Sequence, residues 1–177
     1  MENNLLKKNA LFNPNGDTDI LRRKMIGGNT TNLNDFNNLR YQWTSDWYRQ
    51  AMNNFWIPEE INLTQDTKDY VKLSQAEYVA YNKILSFLVF LDSLQSNNLP
   101  SISEYITANE VNLCLHIQAF QECVHSQSYS YMLDSICSPE ERNDILYQWK
   151  PTSTCWRETL LSVTATTTFS STKIALR

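Results

Sequence analysis

The sequence predicts an all-α protein. It contains only three glycines in 177 residues, and apolar side chains recur at helical spacing over most of its length. Two segments, S-x-x-E at residues 74–77 and S-P-E-E at residues 138–141, are typical helix starts. In both, a serine N-cap and a glutamate three residues later satisfy backbone N–H groups that the first turn leaves free. These observations favour a bundle of helices.

The first helix is expected between residues 34 and 55, where apolar and aromatic side chains share one helical face. Those side chains are Phe36, Leu39, Trp43, Trp47 and Met52. A break follows in W-I-P-E-E, because Pro58 restricts Ile57 to extended conformations.

Three further helices follow from their start signals. The Ser74 capping box predicts a helix to about Gln95, and S-N-N-L-P-S after it reads as a loop. Ser101 with Glu104 offers a second capping box, so the next helix is expected from there to about Cys137. Ser138 then starts a helix predicted to run through R-N-D-I-L-Y-Q-W-K, with proline at its first position.

Charge and composition exclude several classes of protein. The net charge of −4 and the scattered Lys and Arg argue against nucleic acid as a partner. No apolar run reaches the roughly 18 residues that would span a membrane, and the N-terminus lacks the apolar region of a signal peptide. A cytoplasmic location is therefore expected. The four cysteines show no C-x-x-C pairing and are interpreted as reduced thiols.

The chain divides into three segments by composition. Residues 1–33 form a polar, Asn-rich arm that holds all three glycines, and residues 34–150 carry the helical pattern. After Pro151 the sequence is dominated by Thr and Ser and fits neither a helix nor a tidy strand. The predicted domain is therefore 34–150, with 151–177 as an anomalous tail.

A candidate metal site begins with Asp92, which interrupts the apolar run F-L-V-F-L-D-S-L. A buried lone carboxylate is costly, so it needs a partner. Glu122 and His125 lie three residues apart on one helical face, the spacing with which helical bundles direct two ligands at one metal, and Tyr129 follows on that face. The alternative is a structural ion pair of Asp92 with Lys83 or Arg40.

Several segments together resemble the small, radical-generating subunit of class I ribonucleotide reductase. N-F-W-I-P-E-E-I (54–61) is similar to the tryptophan-bearing segment of that family, and L-D-S-L-Q (91–95) to the segment with its first aspartate ligand. F-Q-E-C-V-H-S-Q-S-Y (120–129) is similar to its E-x-x-H-S-x-S-Y motif, and P-E-E-R-N-D-I-L-Y-Q-W-K (139–150) to its next helix. The resemblance covers about residues 34–150.

The resemblance implies a ferritin-like helical bundle, here its N-terminal part, that forms homodimers and holds two iron ions, or manganese in some members. It implies that Asp92, Glu122 and His125 bind the first metal, that Tyr129 carries a radical, and that Trp56 relays an electron. The implied partner is the large catalytic subunit, and the implied reaction is reduction of ribonucleotides to deoxyribonucleotides.

The sequence departs from the family by lacking the second ligand set. No histidine follows His125, and after Glu141 the only glutamate is Glu158, so the dinuclear site is incomplete. We therefore expect a fragment of the subunit whose activity alone is doubtful. The alternatives are a split-gene half that a separate piece completes, or an inactive helical module that pairs with a full-length subunit.

The tail suggests a cause. Back-translation of the segment after Lys150 with permitted codons, followed by insertion of a single A, yields a sequence with charged and apolar residues at helical spacing. Residues 151–177 are therefore interpreted as out of frame, by a genuine one-base deletion or a sequencing error.

Overall fold

The computed structural model describes residues 7–149, and the regular elements in that range are helices, which confirms the all-α prediction there. Within residues 7–149 there are five α-helices: α1 (Trp43–Asn53), α2 (Thr64–Tyr70), α3 (Gln75–Ser103), α4 (Asn109–Ile136) and α5 (Pro139–Leu146). Short 3-10 turns cover Ile20–Arg22 and Pro58–Glu60. None of the described helices combines the length and the apolar character needed to cross a membrane. The predicted tail, residues 151–177, lies outside the described residues.

The described residues fall into two compact units. One contains residues 7–55 and 97–120, and its core is formed by Ile106, Ala108 and Val111. The other contains residues 56–96 and 121–149, with Leu85, Leu133 and Ile145 at its centre. The predicted segment boundaries at residues 33 and 150 stay predictions.

The first helix is shorter than predicted. It begins at Trp43 instead of residue 34. The preceding stretch is held in bends by carboxylates that take its backbone N–H groups: Asp35 accepts from Asn37, and Glu110 accepts from Arg40 at 3.1 Å. These contacts compete with helical hydrogen bonds, so the apolar spacing from residue 36 onward misled the prediction.

Helix α3 starts as predicted but continues through the expected loop. The Ser74 backbone N–H donates to Glu77 Oε2 at 2.9 Å, and the Glu77 N–H donates to Ser74 Oγ at 3.4 Å, so both halves of the predicted capping box are present. The helix then passes Pro100 and ends at Ser103, so both the loop at 96–101 and the Ser101–Glu104 box were wrong. Instead of capping, the Ser101 hydroxyl donates to the Asn97 carbonyl at 3.3 Å.

Burial explains why proline is tolerated there. Pro100 lacks the N–H that would continue the ladder, at a cost of about 3 kcal/mol in a helix interior. Leu99 beside it is 6% exposed, and tertiary packing of that kind outweighs local propensity. The sequence marks the proline but not the packing.

The N-terminal arm holds the turn that joins α3 and α4. Thr107 donates its backbone N–H to the Met25 carbonyl at 2.8 Å and its hydroxyl to the Lys24 carbonyl at 2.7 Å. Its Oγ1 also accepts the Gly28 N–H at 3.0 Å. Helix α4 consequently begins at Asn109, later than predicted, and ends at Ile136, close to the predicted Cys137.

Helix α5 has the predicted cap but ends early. Ser138 accepts the Glu141 N–H, and the Glu141 side chain accepts the Ser138 N–H, with Pro139 at the first position. The helix ends at Leu146, earlier than the predicted Lys150. The next residue, Tyr147, has non-helical backbone angles of φ −108° and ψ 9°. The described cysteines, Cys114, Cys123 and Cys137, are free thiols as predicted, and Cys155 lies outside the described residues.

Candidate metal centre

Helix α3 positions Asp92. The buried residues Leu85 and Phe90 fix the face of this helix against the rest of its unit. Asp92 lies seven residues, almost two turns, after Leu85, and therefore on nearly the same side. Its side chain is only 14% exposed, as the apolar run predicted.

Helix α4 positions the other two ligating side chains and the tyrosine. Glu122, His125 and Tyr129 follow one face at spacings of three and four residues. Val124 and Ser128, which lie between them in the sequence, are buried. The Ser128 hydroxyl donates to the His125 carbonyl at 2.7 Å, within the helix itself.

The three side chains converge. One ligand atom from each of Asp92, Glu122 and His125 lies within 4.8 Å of the other two. Nδ1 of His125 is 3.2 Å from Glu122 Oε2 and 3.6 Å from Asp92 Oδ2. The Glu122 side chain is 14% exposed, whereas that of His125 is 41% exposed, so the group is open on the imidazole side.

The chemistry of this group fits a divalent cation. Asp92 Oδ2 is buried and has no hydrogen-bond partner, a state that is costly without compensation. Burial raises the pKa of Asp92, and the nearby Glu122 charge adds to that shift, while Tyr129 and His125 oppose it. A cation would satisfy the free oxygen, and two carboxylates with one imidazole suit iron or manganese.

The alternative, a structural ion pair of Asp92 with Lys83 or Arg40, is not observed among the described residues. The basic side chain beside Asp92 is that of His125, with Nδ1 3.6 Å from Asp92 Oδ2, and neither Lys83 nor Arg40. The Arg40 guanidinium instead donates to the main-chain carbonyl of Leu21. His116, the other histidine, is exposed, forms a hydrogen bond with the Ser103 hydroxyl at 2.9 Å and lies outside the ligand group.

Tyr129 is partly buried beside the carboxylates. Its ring packs against the core cluster of Leu85, Leu133 and Ile145. Burial, followed by the charge of Asp92 and a hydrogen bond with that carboxylate, raises the pKa of Tyr129 to about 12. The phenol is therefore protonated at neutral pH.

Trp56 lies against the imidazole. The centroids of the Trp56 and His125 rings are 6.2 Å apart, with the planes inclined by 32°. The extended Ile57, with φ −124° and ψ 147°, leads from Trp56 into the Pro58 turn, as the proline predicted. All five residues singled out from the sequence thus lie in the same unit.

Sequence reasoning assigned no role to a second polar group in this unit. The Tyr70 hydroxyl donates to Asn82 Oδ1 at 3.0 Å in a buried hydrogen bond. The Tyr70 ring also lies 5.4 Å from that of Tyr78 and 5.8 Å from that of Tyr81, centroid to centroid. The available signal was the polar Asn82 in the apolar part of α3, ten residues before Asp92.

The ligand set is half of what a dinuclear carboxylate site uses. Such bundles take a carboxylate from each of two helices and E-x-x-H from each of two others. Within residues 7–149, the group of Asp92, Glu122 and His125 is the one cluster of three or more metal-ligating side chains. It supplies one carboxylate and one E-x-x-H.

Comparison with known proteins agrees with the geometry. The family model described as "Ribonucleotide reductase, small chain" matches residues 33–173, a range that includes most of the tail. The ribonucleoside-diphosphate reductase subunit beta of Treponema pallidum is 72% identical over 146 residues, which cover 82% of this chain and 42% of that protein. The corresponding subunit of Aquifex aeolicus is 42% identical over 151 residues, which cover 84% of this chain and 22% of that protein.

Solved structures with a similar fold belong to the same family. The ribonucleotide reductase R2 subunit from Clostridium botulinum superposes with a TM-score of 0.79 at 51% identity, over 82% of this chain and 45% of that one. The chain therefore spans less than half the length of these relatives. The ferritin-like helical fold class inferred from the motifs is confirmed.

Proposed function

This chain belongs to the family of ribonucleotide reductase small chains, and we propose that it contributes one half of a dimetal site that oxidises Tyr129 in a ribonucleoside-diphosphate reductase. The observation that carries the proposal is the convergence of three ligand atoms, from Asp92, Glu122 and His125, within 4.8 Å beside a partly buried tyrosine. If these side chains had only a structural role, the buried Asp92 Oδ2 with no hydrogen-bond partner would be unexplained.

The three ligating side chains have distinct tasks. Asp92 and Glu122 offer anionic oxygen to the cation, and His125 offers an imidazole nitrogen. An iron or manganese pair, when bound, supplies the one-electron oxidation of a tyrosine with dioxygen. Glu122 Oε2 lies 3.2 Å from His125 Nδ1, and the family resemblance implies that its carboxylate would help to hold both ions.

Tyr129 is the group to be oxidised. Its hydrogen bond with Asp92 orients the phenolic hydrogen toward a carboxylate, so the proton and the electron can leave in different directions. The apolar packing around the ring limits the access of water and of reductants. Both features favour the oxidation of Tyr129 and a long lifetime of the resulting tyrosyl radical.

Trp56 is proposed to deliver an electron to the site. Its ring lies 6.2 Å from the His125 ring, centroid to centroid, which is short for electron transfer between aromatic groups. In this proposal the pair forms a path from the Trp56 segment to the metal ligands.

The remaining assignments follow from family membership. The substrates are ribonucleotides, which a large catalytic subunit reduces to deoxyribonucleotides after the radical reaches it. The small subunit is expected to form homodimers and to work in the cytoplasm. Because the described residues contain a single ligand set, a second candidate is a half-subunit that another polypeptide completes.

Metal binding by the full chain tests the proposal. Equilibrium dialysis against Mn(II) should load the wild-type protein, and Asp92→Asn and His125→Ala should each lower the affinity by roughly 10-fold or more. His116→Ala is the matched control, because this exposed histidine lies outside the ligand group. Equal affinity in all four proteins, or no binding in any, would contradict the proposed metal site.

A further inference from the structure

The unit that contains the metal ligands also contains another tyrosine that donates to a carboxylate. The Tyr78 hydroxyl donates to Oε1 of Glu141 at 3.0 Å, and Tyr129 forms a hydrogen bond with a carboxylate in the same way. We propose that Tyr78 is a second radical site, which takes an oxidising equivalent from Tyr129 through the aromatic rings that lie between them. The inference rests on the proposed function for its source, the radical on Tyr129.

The carboxylate partner makes Tyr78 a place where a radical can rest. A phenol that loses an electron becomes a strong acid, so a lasting tyrosyl radical needs a base within hydrogen-bond distance of its oxygen. A hydrogen bond from the Ser138 backbone, followed by that from Tyr78, lowers the pKa of Glu141. Glu141 is therefore ionised at neutral pH and can take the proton that Tyr78 releases.

Tyrosine rings connect Tyr78 with the core of the unit. The centroid of the Tyr70 ring lies 5.4 Å from that of Tyr78 and 5.8 Å from that of Tyr81. Tyr81 packs against the same buried core cluster as Tyr129 does. The path from Tyr129 to Tyr78 therefore has two intermediate rings, and both lie within this unit.

The longest step of this path joins Tyr129 to Tyr81. Burial and then the charge of Cys137 raise the pKa of Tyr81, so this phenol lies near the cysteine that follows α4. Cys137 comes eight residues after Tyr129, which is about 12 Å along a helix at about 1.5 Å per residue. Electrons tunnel through a packed protein interior over such a distance on the time scale of enzyme turnover.

Two other oxidisable groups touch the path, but neither has a base beside it. The Tyr70 hydroxyl donates to Oδ1 of Asn82 at 3.0 Å, and an amide oxygen accepts a hydrogen bond without holding the proton. Burial raises the pKa of the Cys137 thiol, which therefore stays protonated at neutral pH. Tyr70 can pass an electron on, whereas the radical comes to rest at Tyr78.

The transfer conserves electrons and protons. One electron passes from the Tyr78 phenol to the Tyr129 radical through the intervening rings. The Tyr78 O–H bond breaks, and its proton goes to Oε1 of Glu141. The Tyr129 O–H bond forms again with the proton that its carboxylate partner, Asp92, had accepted. The oxidising equivalent thereby leaves the metal ligands, which are protected from oxidation.

Photo-oxidation of the metal-free full chain tests the Tyr78 site. Ruthenium(III) tris(bipyridine), generated by a light flash with a cobalt(III) quencher, oxidises aromatic side chains, and a nitroso spin trap with peptide mass spectrometry identifies the residues that carry the radical. Among the tyrosines of this unit, Tyr78 should give the strongest adduct. A stronger adduct at Tyr70, or one at Cys137 in place of Tyr78, would overturn the proposal.

Two glutamate variants test the role of the base. Glu141→Gln keeps an oxygen that accepts the Tyr78 hydrogen bond but removes the base, so the Tyr78 adduct should fall by roughly 10-fold or more. Glu140→Gln, at the preceding residue, is the matched control and should leave the yield unchanged. An equal yield in wild type and Glu141→Gln would overturn the proposal.

Tyr70→Phe and Tyr81→Phe test the path. Each keeps an aromatic ring but removes the oxidisable phenol, so an oxidising equivalent on Tyr129 should stay there and the Tyr129 adduct should rise several-fold. Tyr81→Phe decides the test if circular dichroism shows that loss of the Tyr70 hydrogen bond disturbs the fold. Tyr48→Phe, in the other unit, is the control. An unchanged Tyr129 adduct in the folded variants would overturn the path.

The outcomes are separate from those for the proposed function, because none of these photo-oxidation measurements needs a metal. A Tyr78 adduct that depends on Glu141, in a chain that fails to bind Mn(II), would support the Tyr78 site and contradict the metal site. Mn(II) binding by a chain without a Tyr78 adduct would do the reverse.

Discussion

His125 Nδ1 lies 3.2 Å from Glu122 Oε2, one helical turn earlier in α4, and 3.6 Å from Asp92 Oδ2 in α3. The first distance follows from the helix alone, because residues three apart are neighbours on its surface. The second distance depends on how α3 packs against α4. The metal-ligating group is thus a local motif to which tertiary structure adds a third side chain.

Asp92→Asn is predicted to have opposite effects on stability with and without metal. In the metal-free protein the change removes a largely buried carboxylate with an unpartnered oxygen, which should stabilise the fold by about 1 kcal/mol and raise Tm by about 3 °C. With saturating Mn(II) the same change removes a ligand and should lower Tm below that of the wild-type protein. Thermal unfolding followed by circular dichroism, with and without Mn(II), measures both. A decrease in both conditions would show that Asp92 has a structural partner.

A radical at Tyr129 is predicted to require a second set of metal ligands besides Asp92, Glu122 and His125. Iron and dioxygen added to the 177-residue chain alone should give no tyrosyl-radical signal, because one carboxylate and one E-x-x-H pair are half of the ligands that a dinuclear site uses. A normal radical yield from this chain, measured by electron paramagnetic resonance, would refute this. Tyr129→Phe serves as the reference for a protein that retains the ligands and has no oxidisable phenol at that position.

The cap of α5 predicts a loss of stability in acid. Hydrogen bonds from the Ser138 backbone, Tyr78 and the Ser138 hydroxyl lower the pKa of Glu141 from its ordinary value of 4.5. The folded-state pKa is below the unfolded one, so the stabilisation is fully present above pH 4.5 and is lost as the pH falls through the folded value. Urea unfolding between pH 3 and pH 6 should show this, and Glu141→Gln should flatten the dependence. Glu140→Gln, one position away, is the control.

Ser138→Ala should weaken the same cap at every pH. Loss of the hydroxyl that accepts the Glu141 N–H should cost about 1 kcal/mol, the usual effect of an N-cap substitution. The cost reaches the core because Ile145 in α5 belongs to the buried cluster with Leu85 and Leu133. Urea unfolding at pH 7 measures it. An unchanged midpoint would mean that α5 contributes little to the unfolding transition.

Arg23 is predicted to stabilise the unit that contains the N-terminal arm. Its Nη1 lies 2.9 Å from Oε2 of Glu110, whose side chain is 3% exposed, so Arg23→Ala would leave a buried charge with backbone N–H partners alone. The expected cost is about 2 kcal/mol. Arg22→Ala, at a side chain that is 71% exposed, should change the free energy of unfolding by less than about 0.5 kcal/mol. Equal effects of the two substitutions would contradict a specific role of the ion pair.

The features that sequence predicted well are local ones. The Ser74–Glu77 and Ser138–Glu141 pairs operate within one turn of a helix, so their spacing carries the whole signal. Glu122 and His125 are brought together in the same way. Asp92 was found because a carboxylate in an apolar run is unusual, although the sequence could not say which helix it would face.

The features that sequence missed depend on distant residues. Pro100 indicates a loop in any local reading, yet the buried Leu99 keeps it in α3. The stretch before Trp43 has helical spacing, yet Glu110, 70 positions after Arg40, takes its backbone N–H group. Neither partner can be identified from spacing, because each is set by how separated segments pack.

Thr107 has a consequence for the order in which the chain folds. Its hydroxyl bonds the Lys24 carbonyl and the Gly28 N–H, 83 and 79 positions earlier in the chain. Contacts across such separations form slowly, because the chain loses the entropy of closing a long loop before these contacts stabilise it. Helical turns, in contrast, form quickly. Helices α3 and α4 can therefore form before the turn that joins them adopts its final conformation. The order of synthesis favours the contacts of Thr107 with the arm, because residues 24 and 28 leave the ribosome before residue 107 does.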